Sequence, residues 1–180
     1  MKRKEFLKTS AFAAIAFSNI PNQTKSHLRN DKTVPKIVRK EEGTKVNVIG
    51  DQQTFKLTGK DTAGQFTLIE EVNAPGTMIP PHVHTKEDEI FKVLEGKLEV
   101  TVGNSTTILE AGDLAYAPKN IPHSWRVVGD TNCKTILSAF PAGIERMFAE
   151  LGELPPGKPD FAKVAEICKN YGIRFLTPED

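Results

Sequence analysis

The strongest constraint on the fold is a rhythm. From Thr44 to Phe140, short runs of β-favouring residues alternate with turn residues, at a spacing of about 8–12 residues. The runs are Lys45–Ile49, Thr54–Thr58, Gln65–Val72, Glu89–Leu94, Lys97–Val102, Thr106–Leu109, Asp113–Ala117, Ser124–Val128 and Lys134–Phe140. Gly50-Asp51, Gly59-Lys60-Asp61, Gly103-Asn104, Ala111-Gly112-Asp113 and Gly129-Asp130 punctuate them. Many short strands with such turns predict an all-β barrel or sandwich spanning residues 44–140. With 38% apolar and 26% charged residues, the chain has the make-up of an ordinary folded domain. Two cysteines, Cys133 and Cys168, exclude a disulfide scaffold and a four-thiolate metal site.

The pattern changes at Pro141. Ile144, Met147, Phe148 and Leu151 follow helical spacing, and Leu154-Pro155-Pro156-Gly157 breaks the run. Asp160 is placed to cap a second helix reaching about Tyr171, with Gly172 as its stop. Residues 141–180 are therefore expected to form two short helices packed on the outside of the barrel. At the other end, Lys2, Arg3, Lys4 and Lys8 precede the apolar run Ala11–Phe17, then Ser18 and Asn19. That order reads as an export signal over residues 1–20. Arg3-Lys4-Glu5-Phe6-Leu7 resembles the twin-arginine motif, with Lys4 where the second arginine stands. Residues 21–43 read as a tether carrying a short extended arm, Val34–Val38. The expected location is periplasmic or secreted. A formal charge of +1, slightly negative once the signal is removed, implies neither a nucleic-acid partner nor a membrane surface.

The chemistry is written in the histidines. Of the four, His27 lies in the tether, while His82, His84 and His123 lie in the β region. Positions two apart on a strand share a face, so His82 and His84 point together. Glu89 lies at the head of a strand whose Glu89, Phe91 and Val93 share one parity. Three imidazole nitrogens and one carboxylate suit a divalent first-row metal: iron, manganese, nickel, zinc, cobalt or copper. Calcium and magnesium favour all-oxygen sets. The alternative is a barrel whose histidines are satisfied by hydrogen bonds alone.

These residues resemble the cupin family. Its first motif, G(X)5HXH(X)3,4E(X)6G, is met by Gly76, His82, His84, Glu89 and Gly96. Its second, G(X)5PXG(X)2H(X)3N, is met by Gly112, Pro118 and His123, with Asn120 in place of a turn glycine and Val127 in place of the final asparagine. The resemblance implies a double-stranded β-helix, or jelly-roll barrel. It also implies an internal metal held by His82, His84, Glu89 and His123. The shorter motif spacing would select Asp88, but strand alternation favours Glu89, because Asp88 shares a face with Lys92.

Phe66, Met78, Phe91, Tyr116 and Trp125 are the candidate pocket-lining residues; Trp125 shares the parity of His123. Glu87 and Asp88 read as solvated turn charges. The resemblance to quercetin 2,3-dioxygenase-like cupins implies a metal-dependent dioxygenase acting on a small, oxygen-rich molecule such as a flavonol or β-diketone. In that reading Glu89 doubles as catalytic base. The alternatives are a non-catalytic ligand-binding cupin and a metal-dependent isomerase or decarboxylase. Because cupins commonly pair through their barrels, the resemblance also implies a homodimer.

Overall fold

The computed structural model describes residues 33–177. The segment expected to be an export signal, residues 1–20, and His27 lie outside the described residues. Among the described residues, eleven strands form two antiparallel sheets. The first contains β1 (Thr44–Val48), β2 (Asp51–Leu57), β3 (Thr67–Asn73), β10 (Cys133–Phe140), β5 (Asp88–Glu95) and β8 (Leu114–Ala117), in that spatial order. The second runs β11 (Ile173–Phe175), β4 (Met78–His84), β9 (His123–Val128), β6 (Lys97–Val102) and β7 (Ser105–Leu109). Strands distant in sequence lie side by side, as β3 and β5 flank β10, and the result is a jelly roll of the double-stranded β-helix kind. Its core is built by the period-2 faces of both sheets, with Ile69, Phe91, Val93, Val100 and Trp125 buried between them.

Two elements lie outside the sequence expectation. Strand β4 carries Pro80 and Pro81, which cannot donate to a ladder. It survives because its pairing with β9 is irregular where they stand, between Ile79 and His82. Strand β11 is three residues long and pairs on the free side of β4, with Ile173 opposite His84 and Phe175 opposite His82. The arm at Val34–Val38 forms no strand.

Helices α1 (Ile144–Gly152) and α2 (Phe161–Tyr171) form where periodicity predicts them. Asp160 Oδ1 accepts from the N–H groups of Ala162 and Lys163, and Gly172 closes α2 in the left-handed conformation, φ 90°. Gly172 also accepts at its carbonyl from the Thr85 N–H and hydroxyl, which joins the end of α2 to the end of β4. A Cβ there would collide with Thr85, so the position admits only glycine. The helices are not simple exterior cladding. With Val48, Ala139 and Ile173 they make a second apolar core from Ile144, Met147, Leu151, Val164 and Ile167. That shared core buries the apolar stripe of each helix.

Glu145 fastens α1 to the sheet. Its Oε1 accepts from the Gly59 N–H at 3.0 Å, and its Oε2 from the Thr67 hydroxyl and from the Gly143 N–H at 2.7 Å. Burial works to raise the Glu145 carboxyl, but the bonds from Thr67, Gly59 and Gly143 outweigh it and hold the group below 4.5. The contribution to stability is then full above the unfolded-state value and lost as pH falls through the folded one. Glu145→Ala is expected to destabilise the protein by about 2–3 kcal/mol at pH 7, because one buried donor, on Thr67, and two half-buried ones, on Gly59 and Gly143, lose their acceptor. Urea titrations at descending pH should show the gap between the two proteins narrowing below about pH 4.

Candidate metal centre

The four ligand candidates reach one point from three strands. His82 and His84 lie on β4, Glu89 on β5 and His123 on β9. His82 is directly opposite His123 in the β4–β9 register, which sets their rings 4.3 Å apart at the centroids. His84 lies 5.0 Å from His82 and 5.1 Å from His123 by the same measure. One donor atom from each of the four residues falls within 4.8 Å of all the others. Glu89 Oε2 is 3.0 Å from His123 Nε2 and 3.6 Å from His84 Nε2. All four side chains are buried.

Local sequence explains this convergence. Alternation sends His82 and His84 inward, and β11 clamps the free side of β4, with Phe175 against the His82 ring at 6.0 Å. His123 opens β9 after the turn Pro118–Pro122, where Asn120 takes φ 64°. Asparagine tolerates that left-handed position, so the missing motif glycine costs the turn little. The Asn120 N–H donates to the His84 carbonyl at 2.7 Å, which ties the second motif to the first.

The rings are oriented for metal binding. His82 Nδ1 contacts the Pro80 carbonyl at 2.9 Å and His123 Nδ1 the Ile121 carbonyl at 3.1 Å. With Nδ1–H facing a carbonyl, each ring offers a bare Nε2 to the centre. The third ring has a carboxylate instead: Glu87 Oε2 lies 3.6 Å from His84 Nδ1. Glu87 is therefore not a solvated turn charge. It is 5% exposed, turned inward beside His84, while its neighbour Asp88 faces outward and accepts from the Lys119 N–H at 2.8 Å. His84 Nδ1 and Glu87 Oε2 have no hydrogen-bond partner within normal bonding distance, a pair poised to close up. Glu87→Ala is expected to weaken metal affinity by about 10–100-fold with the fold intact, as isothermal titration with a divalent metal would show.

The electrostatics agree with the donor set. Burial, then the neighbouring His123 and His84, pushes His82 down to about 3, so it is neutral at pH 7. Burial works to lower His84, but the carboxylates of Glu89 and Glu87 outweigh it and raise the group. Burial works to raise Glu89, but His84 and His123 outweigh it and hold the carboxyl below its ordinary value. Three imidazoles and one carboxylate on a buried point fit a divalent transition metal.

His82, His84 and Glu89 of the cluster line a cavity of about 390 Å³. Phe91, Trp125 and Leu137 line it from the barrel, Met147 and Phe148 from α1, and Val164 from α2. Met78 stands at the cavity wall, half exposed. Phe66 and Tyr116 do not line it. Tyr116 is one position out of phase with the inward Ala115 and Ala117 and is 52% exposed, and Phe66 precedes the inward Thr67 and packs on Phe140 at 5.8 Å. Sequence reading also passed over Asp51 and Glu71, two buried carboxylates in the cavity wall. Alternation with the inward Ile69 was the signal for Glu71. Cys133 and Cys168 are free buried thiols on different elements, outside the metal cluster.

Comparison with known proteins bears on this arrangement. Residues 70–140 match the family described as Cupin domain. Quercetin 2,3-dioxygenase of Bacillus subtilis (strain 168) is 30% identical over 102 residues, 57% of this chain and 30% of that protein. Germin-like protein 5-1 of Oryza sativa subsp. japonica is 31% identical over 123 residues, 62% of this chain and 55% of the relative. The chain thus spans about half or less of the length of these curated relatives. The structure of KdgF from Halomonas sp. superposes with a TM-score of 0.55 at 20% identity, covering 62% of this chain and 99% of that one, a likeness of fold.

Proposed function

Since residues 70–140 make this chain a member of the cupin superfamily, we propose that it holds one divalent transition metal at His82, His84, Glu89 and His123 and catalyses an oxygenase-type reaction. The substrate is a small, largely apolar, oxygen-bearing molecule of flavonol or β-diketone kind. One observation carries the reading: four buried donor atoms within 4.8 Å of one another, three of them on residues that line a predominantly apolar cavity of about 390 Å³. The name of the bacterial relative, a quercetin dioxygenase, supports the same class of reaction.

A metal bound there supplies Lewis acidity toward a substrate oxygen. The protein supplies the rest. His82, His84 and His123 hold their Nε2 atoms inward through Nδ1 contacts to Pro80, Glu87 and Ile121. Glu89 Oε2, the carboxylate oxygen nearest two of these rings, takes the proton of an approaching substrate hydroxyl. Phe91, Trp125 and Leu137 present an apolar wall that excludes water and accepts the carbon skeleton. A sugar phosphate fits poorly, because no Lys or Arg lines the cavity.

The test is elemental analysis of protein purified from its native compartment, followed by oxygen-uptake assays with the recovered metal and a panel of flavonols and β-diketones. Uptake with at least one class supports the reading. Full metal content with no uptake across the panel would favour the non-catalytic ligand-binding alternative, and absence of metal would remove the basis of both.

A further inference from the structure

The cavity has a second polar station, away from the metal ligands. On the inward row of the first sheet, Gln53, Glu71 and Thr135 are cross-strand partners, and Asp51 opens the same strand as Gln53. All four are 2–4% exposed, and Asp51 and Glu71 face the cavity. Gln53 Nε2 lies between the two carboxylates, donating to Asp51 Oδ2 at 2.7 Å and reaching Glu71 Oε1 at 3.5 Å. Asn73 Nδ2 donates to Asp51 Oδ1 at 2.6 Å, and Thr135 Oγ1 donates to Glu71 Oε2 at 2.8 Å. Gln53 Oε1 has no hydrogen-bond partner among the described residues. Two buried carboxylates on one cavity wall call for donors.

We propose that Asp51 and Glu71, bridged by Gln53, form a hydroxyl-binding subsite that anchors the far end of an uncharged, mostly apolar ligand whose other end faces the metal ligands. The subsite deepens the function proposed above by naming the substrate class, and it rests on that reading only for the identity of the reaction. A hydroxyl both donates and accepts, and the subsite offers both counterparts. The Asp51 carboxylate, on the cavity wall, accepts. Glu71 Oε1, bound only by the long amide contact, donates when it carries the proton. Burial, then the charge of Asp51, raises the Glu71 carboxyl well above its ordinary value, in keeping with that role. An anionic end group is rejected, because it would face Asp51 in a desolvated wall.

The spacing selects length. Glu89 is paired with Ala139, and Glu71 with Thr135, four residues away along β10. That is about 13 Å of strand, with Leu137 and Phe91 in the interval. The span suits a molecule of two or three rings with oxygen at both ends.

The test uses the full chain without added metal, so that binding is read apart from turnover. The probes are 4-phenylphenol, biphenyl, 4-methoxybiphenyl and biphenyl-4-carboxylate, followed by quenching of Trp125 fluorescence. The expected order places 4-phenylphenol about tenfold tighter than biphenyl, with the methoxy compound between them and the carboxylate weakest. In Glu71→Leu the phenol-to-biphenyl ratio is expected to fall to within about twofold while biphenyl affinity holds. Equal affinity of wild type for phenol and biphenyl, or a preference for the carboxylate, overturns the proposal whether or not the variant folds. So does a folded Glu71→Leu that keeps the full ratio. Oxygen uptake is measured separately on metal-loaded protein: a phenol preference without uptake leaves the subsite standing and removes only the dioxygenase reading.

Discussion

Replacing His123 with alanine is expected to leave purified protein with less than about a tenth of the wild-type metal and no metal-dependent activity. Loss of an outer partner of a ligand typically costs about 10–100-fold in metal affinity. Loss of a ligand removes a bond outright, and His123 is the imidazole nearest Glu89, at 3.0 Å. Its removal therefore also frees the carboxylate it positions. The fold should persist, since His123 opens β9 and the register of that strand with β6 continues through Val128. Elemental analysis gives the metal content, and near-ultraviolet dichroism of Trp125 reports the barrel. Thermal unfolding supplies an independent reading. A metal that binds only the native state raises stability by about 4 kcal/mol at a thousandfold excess over its Kd. Chelator should lower the Tm of wild type and leave that of the variant unchanged. A variant that retains full metal content would remove His123 from the centre.

The same centre predicts a pH profile for loading. His84, raised above 6.5 by Glu89 and Glu87 against the opposing effect of burial, must give up its proton before its nitrogen binds a metal. Affinity should therefore weaken as pH falls through the raised His84 value, above 6.5, and grow insensitive once His84 is neutral. His82, at about 3, contributes nothing to that slope.

Most of this centre was legible because spacing on a strand is geometry. Two histidines two residues apart share a face in any strand, and a carboxylate at the head of an alternating run points inward with Phe91 and Val93. The preference for Glu89 over Asp88 followed from parity alone, and the two side chains do part to opposite faces. What failed did so where local sequence carries no tertiary information. Pro80-Pro81 hid β4, because proline argues against a strand unless the ladder is already irregular there. Strand β11 is three residues beside a helix stop, and only the free side of β4 gives it a reason to pair. Glu87 sits in the charged run Lys86-Glu87-Asp88, and nothing local says that one of the three turns inward. Glu71 follows another glutamate, and its burial is set by the row it shares with Gln53 and Thr135. Tyr116 was assigned to the pocket by nearness to the second motif, and alternation against Ala117 places it outside.

Glu89→Gln separates metal holding from proton transfer. Glutamine keeps the size of the side chain and one carbonyl oxygen, so three imidazoles and an amide oxygen still face the centre, with reduced affinity that excess metal overcomes. What it loses is the ability to take a proton at Oε2. Under saturating metal, turnover of a hydroxylated substrate is expected to fall by about 10²–10⁴-fold, the usual worth of a positioned base, while KM changes little. Glu89→Asp keeps the charge but withdraws the oxygen by one methylene, and it should recover part of the rate. The amide also withdraws the charge that raises His84, leaving Glu87 as the remaining carboxylate beside that ring. Metal loading of the glutamine variant should therefore depend less steeply on pH than that of wild type. A glutamine variant that turns over within about threefold of wild type at full metal occupancy would show that Glu89 serves only as a ligand, and the base would then have to be sought on the substrate itself.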